Sequence, residues 1–207
     1  MAFFRIKPVT KRRKDAKDKT YYYVYEVENY KRRYGKKVKV KQKTLRIVGP
    51  YREVKKLKNA ELTQGRIEKL DRAALIEAII VQNLKNYGFK KTSNRQYQKG
   101  VLTIDLEKHR VMDNATRKDV YIGINNGYFG TETIRKLHKF KFNEGTSMID
   151  FVKAVSTAGL LDLDKGEGKA LLALLATKTP GYAETHQVEE EEIAEVSLED
   201  FRKKFGW

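Results

Sequence analysis

Residues 21–49 read YYYVYEVENYKRRYGKKVKVKQKTLRIVG, and this stretch decides the fold of the first quarter of the chain. Its first eight residues are aromatic, β-branched or acidic, a composition that predicts a β-strand. Gly35 marks a turn. Over 37–48, lysines alternate with valines and a glutamine, which predicts a half-buried strand with a cationic outer face, and Gly49-Pro50 is expected to end it. We therefore expect a small antiparallel sheet with one face covered by lysine and arginine.

The residues before this stretch are of two kinds. Phe3-Phe4-Arg5-Ile6 is an apolar opening, whereas 11–19 is rich in lysine and aspartate and predicts a loop between strands. The 1–58 segment is therefore interpreted as a basic β-module.

The residues after it alternate between helical and strand patterns. Apolar residues recur at helical spacing over 66–87, which predicts the helix that organises the main core. Strands are expected at 101–106 and 120–124, and a shorter one near 110–112. Asn125-Asn126-Gly127 predicts a turn.

Three further helices are predicted at 131–142, 146–158 and 168–177, before an acidic linker and a tail peptide in 179–207. The fold class is therefore expected to be α+β, with the basic module followed by a mixed α/β body (59–178) that ends in a helical bundle.

Positive charge is concentrated at the N-terminal end. The chain carries a net charge of +17, and residues 1–58 alone hold 21 Lys+Arg against 5 Asp+Glu. Residues 179–201 hold eight acids and no Lys or Arg. A basic surplus of this kind favours a polyanionic partner, and its position favours an N-terminal binding site.

Composition also excludes several classes of protein. The absence of cysteine excludes disulfides, zinc fingers and thiol nucleophiles, and the three histidines are scattered. No apolar run is long enough to cross a membrane, and the N-terminus does not resemble a secretory signal. We expect an intracellular protein of cytoplasm or nucleoid that needs no cofactor. A high charge content without cysteine is also typical of thermophiles.

The order of elements in 21–49 resembles the N-terminal nucleic-acid-binding region of DDE-class insertion-sequence transposases. The shared pattern is an aromatic strand ending in Glu28-Asn29-Tyr30-Lys31, a return strand through Gly35-Lys36-Lys37-Val38-Lys39, and a closing glycine at Gly49. The resemblance covers about 30 residues and implies contact with DNA. The chain leaves little room for the long catalytic domain of that family. Basic three-stranded sheets also occur in the arm-binding modules of tyrosine recombinases, a similarity of architecture alone.

A two-stranded ribbon fits the major groove of B-DNA, with lysines on phosphates. Tyrosines offer hydroxyl groups to phosphate or rings to unpaired bases, unless they merely pack against a core. The expected nucleic-acid-binding residues of the module are Lys11, Arg12, Arg13, Lys14, Tyr21, Tyr23, Lys31, Arg32, Arg33, Tyr34, Lys36, Lys37, Lys39, Lys41, Lys43 and Arg46.

A second phosphate contact is expected on the helix that starts at Thr131. Arg135, Lys136 and Lys139 are predicted to point outward, and with the next two helices this helix could form a helix-turn-helix-like bundle. An ordinary amphipathic helix is the alternative.

Four carboxylates are candidates for metal-dependent catalysis. Asp105, Asp119, Glu132 and Asp150 are the carboxylates that a two-metal nuclease would have to bring together. The stretch around Gly168-Lys169 lacks the spacing of a P-loop. The sequence therefore predicts a protein without catalytic residues or bound metal.

The tail combines acidic residues with apolar ones. Leu198, Phe201, Phe205 and Trp207 could dock into a partner's groove, and they partly resemble the clamp-binding motif of replication proteins. Docking on the protein's own core is an alternative, as is competition of the acidic segment with nucleic acid for the basic sheet.

The favoured function is non-catalytic binding of duplex DNA through the basic ribbon, as in a chromatin, replication or mobile-element accessory factor. Binding to RNA or the ribosome is the first alternative, and a metal-dependent nuclease or transposase-derived enzyme is the second.

Overall fold

The computed structural model describes residues 2–13, 16–34, 37–62 and 67–185, and it confirms the α+β class. The strands of these residues are β1 (Ala2–Arg13), β2 (Ala16–Tyr34), β3 (Lys37–Arg52), β4 (Lys90–Ser93), β5 (Gln96–Lys99), β6 (Leu102–Asp105), β7 (Arg110–Asp113), β8 (Lys118–Asp119), β9 (Tyr121–Ile124) and β10 (Gly127–Phe129). The helices are α1 (Arg72–Asn86), α2 (Thr131–Lys139), α3 (Met148–Ala158), α4 (Gly166–Thr177) and α5 (Tyr182–Thr185).

The first sheet has the order β1-β2-β3-β9-β10. β2 is its long central strand, with 19 residues, or about 60 Å at 3.3 Å per residue. One end of β2 pairs only with β1 and the other end only with β3, so two hairpins extend in opposite directions. The β3 strand joins the body through a parallel pairing of Tyr51 and Arg52 with β9.

This sheet bends strongly. Against β2, β3 inserts one extra residue twice, at Leu45 and at Val48, and such bulges bend and twist a sheet. The bend brings the two edge strands together. This is seen in a hydrogen bond that the Tyr128 hydroxyl on β10 donates to the Phe4 carbonyl on β1, at 3.4 Å. The sheet therefore has a concave face, turned toward this contact, and a convex face.

Aromatic rings fill the concave face. The Phe4 ring meets the rings of Tyr121 and Tyr128 edge-on, with centroids 6.4 and 5.9 Å apart. Gly49 leaves room for Tyr121, since a Cβ there would lie 3.2 Å from the ring. Val24, which lies opposite Gly49 in the register of β2 and β3, is completely buried.

The second sheet is an antiparallel meander of β4 to β8. Arg52, at the end of β3, donates two hydrogen bonds to the Asp113 carboxylate at the end of β7, at 2.9 and 3.0 Å. This ion pair ties the two sheets together.

The helices cover the remaining apolar surface. The Asp71 side chain caps α1 by accepting from the Ala74 amide. Ser147 and Asp150 form a reciprocal cap at the start of α3. α1, α3, β9 and β10 share one apolar core in which Leu84, Phe151, Ile122, Ile124 and Phe129 are fully buried. None of the helices among the described residues is long and apolar enough to cross a membrane.

Three sequence expectations are wrong in detail. The part of 11–19 that the structure describes belongs to strands, because Lys11 pairs with Lys19 and Thr10 with Thr20. β3 does not end at Gly49-Pro50 but continues to Arg52, where β9 is its new partner. The expected half-burial of β3 is also absent, since Val38 and Val40 are 57% and 63% exposed.

The body differs from expectation at the start of its first helix and in strands that were not predicted, β8 and β10 among them. α1 begins at Arg72 rather than near residue 66, because Asp71 caps it. β4 and β5 were not predicted, since their short polar sequences show no apolar alternation. The turn at Asn125-Asn126 is confirmed, with φ angles of 43° and 63°. The proposed division at residue 58 stays a prediction.

Candidate nucleic-acid interface

The part of the β2–β3 hairpin beyond β1 is a two-stranded ribbon, residues 29–34 and 37–43, which we name the distal hairpin. Every described side chain in it is exposed, on both faces. Its register is regular, with Tyr30 opposite Lys41 and Arg32 opposite Lys39. The hairpin therefore gains little from burial and presents its side chains to solvent.

The register separates these side chains by face, because directly opposed residues point the same way. One face, the lysine face, carries Tyr30, Arg32, Lys37, Lys39, Lys41 and Lys43. The other carries Lys31, Arg33, Val38 and Val40, with Asn29 and Gln42 nearer the body. Glu28 lies opposite Lys43 where the lysine face meets the body. Cations thus occur on both faces of the distal hairpin. The cations of the lysine face come mainly from β3.

The opposite hairpin, formed by β1 and β2, is basic and aromatic. Lys11 and Lys19 face each other across the two strands, and both ammonium groups lie over the Tyr21 ring, at 5.7 and 5.5 Å from its centroid. Tyr21 and Tyr23 are partly exposed, and Arg12 is exposed. Both tyrosines are thus accessible in part, and their role in binding stays a prediction.

Two long cations cross β2 on its convex face. Arg5 donates to the Gln42 side chain and Lys7 donates to the Thr44 hydroxyl, so each reaches from β1 to β3. Val27, which lies on β2 between them, is fully buried. Phe3 on β1 and Thr44 on β3 lie directly opposite Val27 on this face.

Arg46 differs from the other predicted contacts. Its guanidinium pairs with Glu26 at 2.6 Å and with Glu132 at the start of α2 at 2.9 Å. The hydrogen bond from Arg46 to Glu26 is the main reason that the pKa of Arg46 is raised, and Glu132 adds to it. Glu132 also accepts from the Tyr121 hydroxyl, whose pKa burial raises. Arg46 therefore links the sheet to α2.

Arg135, Lys136 and Lys139 are exposed on α2, as expected, while Ile134 and Leu137 are buried. Arg135 donates to the Lys108 carbonyl at 3.4 Å. The helix packs against α3. The phosphate-binding role of its cations stays a prediction.

The four carboxylates considered for metal chemistry have separate partners. Asp105 accepts from Gln96, Asp119 pairs with Arg110, Glu132 pairs with Arg46, and Asp150 caps α3. Within residues 2–13, 16–34, 37–62 and 67–185, no three acidic or histidine side chains come together as metal ligands would.

Several predicted binding residues lie beyond the part of the chain that the structure describes. Lys14 and Lys36 are among them, as are Leu198, Phe201, Phe205 and Trp207 of the tail. Arg13 and Tyr34 are placed as backbone at strand ends.

Comparison with protein-family models, with curated proteins and with solved structures finds no match. The resemblance of 21–49 to transposase N-termini stays a prediction.

Sequence reasoning missed three cations on the convex face, Arg5, Lys7 and Lys19. Alternation of Arg5, Lys7 and Lys11 along β1 was a visible signal, but the polar residues that follow suggested a loop. Their position beside the tyrosines depends on the pairing of Lys7 with Tyr23 and Arg5 with Tyr25, which a single sequence does not specify.

Proposed function

We propose that this protein binds nucleic acid, with duplex DNA as the preferred form, through the distal hairpin. The observation that carries the proposal is the lysine face, an exposed row of four lysines and an arginine on a ribbon that extends beyond the hydrophobic core. Closely spaced like charges repel one another, so a row of this kind is the arrangement expected of a surface that binds a polyanion.

The shape of the hairpin favours the major groove. Its two strands lie about 4.8 Å apart, and the major groove of B-DNA, about 12 Å wide, admits a two-stranded ribbon. Lysines on one face then approach phosphates, and each contact releases counterions. Val38 and Val40 are exposed on the opposite face of the ribbon. With that face turned to the groove floor, they supply apolar groups of the kind that contact thymine methyls.

The same geometry favours DNA over duplex RNA. The major groove of an A-form helix is deep and narrow, so side chains on a ribbon cannot reach its floor. Because the phosphates of both polymers attract the lysines equally, the preference for DNA depends on the difference in groove shape.

The test is a quadruple variant, K37A/K39A/K41A/K43A, measured by salt titration of its affinity for duplex DNA. We expect weaker binding on every sequence. The slope of log K against log[salt] should become shallower by about 0.9 for each phosphate that the variant no longer neutralises.

The matched control removes four exposed lysines of the body, K69A/K85A/K141A/K169A, which changes the net charge equally. The control should keep most of the slope. Equal losses of affinity in both variants would show that net charge, and not the hairpin, drives binding. Duplex RNA bound as tightly as duplex DNA would overturn the choice of polymer.

A further inference from the structure

We propose that the convex face of the first sheet is a second site, which binds single-stranded nucleic acid by stacking bases on tyrosine. The site consists of Tyr21, Tyr23 and Tyr25 on β2, with Lys7, Lys11 and Lys19 around them, and we name it the tyrosine face. It is separate from the lysine face and does not rest on the proposed function.

The three tyrosines share one side of one strand. They alternate along β2, so their side chains point the same way, and all three are partly exposed. Tyr22, between them, points to the other side and is 49% exposed. A row of aromatic rings on an accessible sheet is the arrangement with which RNA-binding sheets stack successive bases.

Cations surround these rings. Lys7 lies 5.1 Å from the Tyr25 centroid, and Lys11 and Lys19 lie 5.7 and 5.5 Å from that of Tyr21. Flexible lysines at this distance are able to move from a ring to a phosphate when a base takes the ring. Stacking platforms combined with a basic groove are the common solution for binding single strands.

Acidic side chains are kept off this face. Asp18, Glu26 and Glu28 are the described acids of the first three strands, and all occupy even positions of β2, whereas the tyrosines occupy odd ones. Because side chains alternate along a strand, the carboxylates lie on the opposite side. Among the described residues of these strands, the tyrosine face thus carries positive charge without carboxylates.

The spacing of the rings favours a single strand over a duplex. Alternate residues of a strand are about 6.6 Å apart, nearly twice the rise of about 3.4 Å between stacked bases of a duplex. Bases that follow the rings must therefore be unstacked and unpaired.

The experiment measures the affinity of fluorescent oligo(dT) and oligo(rU) of about 12 nucleotides, within the range of single-strand site sizes. We expect Tyr23→Ala to weaken binding at least about fivefold, since one base no longer stacks. Y21A/Y23A/Y25A should reduce the affinity much further. Tyr23→Phe keeps the ring and should stay within about twofold of the natural protein, because stacking needs the ring and not the hydroxyl.

The matched control is Tyr22→Ala, which removes a more exposed ring from the same strand but from the opposite side. Equal effects of Tyr22→Ala and Tyr23→Ala would overturn the proposal, as would unchanged affinity in Y21A/Y23A/Y25A. Circular dichroism shows whether the triple variant folds. If it does not fold, the difference in oligonucleotide affinity between Tyr23→Ala and Tyr23→Phe tests the proposal. A preference for oligo(rU) would identify RNA as the ligand, and a preference for oligo(dT) would identify DNA, and either supports a single-strand site.

Duplex binding separates this proposal from the proposed function. The tyrosine variants should keep their affinity for duplex DNA, and K37A/K39A/K41A/K43A should keep the tyrosine-dependent part of its affinity for oligo(dT). Loss of duplex binding in Y21A/Y23A/Y25A equal to its loss of oligo(dT) binding would contradict the existence of two sites.

Discussion

Asp113 and Arg52 show how one ion pair holds two sheets together. The Asp113 side chain is 3% exposed and that of Arg52 is 38% exposed. Burial alone would raise the pKa of Asp113, but hydrogen bonds from Arg52 and from the Thr116 and Ala115 amides lower it below the usual value. The carboxylate therefore stays charged in the folded protein.

We expect Arg52→Met to reduce the free energy of unfolding by about 2–4 kcal/mol, because it leaves a buried carboxylate without its cation. Urea unfolding followed by circular dichroism at pH 7 measures this change. Arg110→Met is the control, since it breaks the pair with Asp119, in which both side chains are more than 40% exposed. A decrease as large in the control would argue against a special role of the buried pair.

His138 adds a pH dependence of stability. Its ring centroid lies 4.2 Å from that of His109. Burial, His109, Arg72 and Arg95 lower its pKa to about 4. Because the unfolded chain binds a proton near pH 6.5 and the folded chain does not, stability should be highest above pH 6.5 and fall as the pH drops toward 4.

The expected result for His138→Gln is a flatter profile of urea midpoint against pH between 6.5 and 4. His109 is a second contributor, because burial, Arg95 and Arg135 lower its pKa as well, so a residual slope should remain. A profile as steep as that of the natural protein would contradict the assignment to His138.

At the scale of elements, a glycine fixes the contact between α3 and the β9–β10 turn. Gly159 caps α3 with φ +64°, and a Cβ there would lie 1.9 Å from the Ile124 carbonyl oxygen. At Gly166, at the start of α4, an added Cβ would meet no atom within 4 Å. The two glycines therefore make a matched pair.

Gly159→Ala should destabilise the protein by about 2 kcal/mol or more, through backbone strain and steric clash together. Gly166→Ala should be neutral or stabilise by up to about 1 kcal/mol, because alanine is the better helix former. Thermal unfolding monitored by circular dichroism compares them. The same change of Tm in both variants would mean that the backbone conformation and the close contact at Gly159 do not determine stability.

The elements that can be predicted from the sequence are those with signals in their own residues. The strands around Tyr21 and Lys37, and the helices after Thr131, are apparent because their periodicity and caps lie within a few residues. β1 beyond Lys11 is not apparent, since a strand made of lysine, arginine and threonine is defined only by its partner. The exposed state of Val38 and Val40 is equally hidden, because alternation shows which side a residue takes and not whether anything covers it.

The candidate site was predicted in part for the same reason. Alternation alone places Lys37 and Lys39 on one face. Arg46 pairs with Glu26 and Glu132 instead of joining the exposed cations. This pairing depends on residues up to 86 positions away in the sequence. The convex position of Tyr23 depends on the bend of the whole sheet.

At the scale of the whole molecule, stability is unevenly distributed. The distal hairpin has its described side chains exposed, whereas β9 and β10 are largely buried beside the core. Local opening costs least free energy where it exposes little apolar surface.

Hydrogen exchange followed by mass spectrometry should therefore show rapid exchange over 29–43 and strong protection over 121–129. Saturating duplex DNA should slow exchange in 29–43 and leave 121–129 unchanged. Protection that appears only in the body on adding DNA would place the duplex site away from the hairpin.

The contact between Tyr128 and Phe4 also has a consequence for the order of events during synthesis. Tyr121 and Tyr128, two of the three rings of the aromatic cluster, are made long after the first three strands. At about 5–20 residues per second, the roughly 75 residues from Arg52 to Tyr128 take about 4–15 s to translate. During that interval the first three strands exist without the two rings of β9 and β10, so the aromatic cluster of the concave face is not able to close.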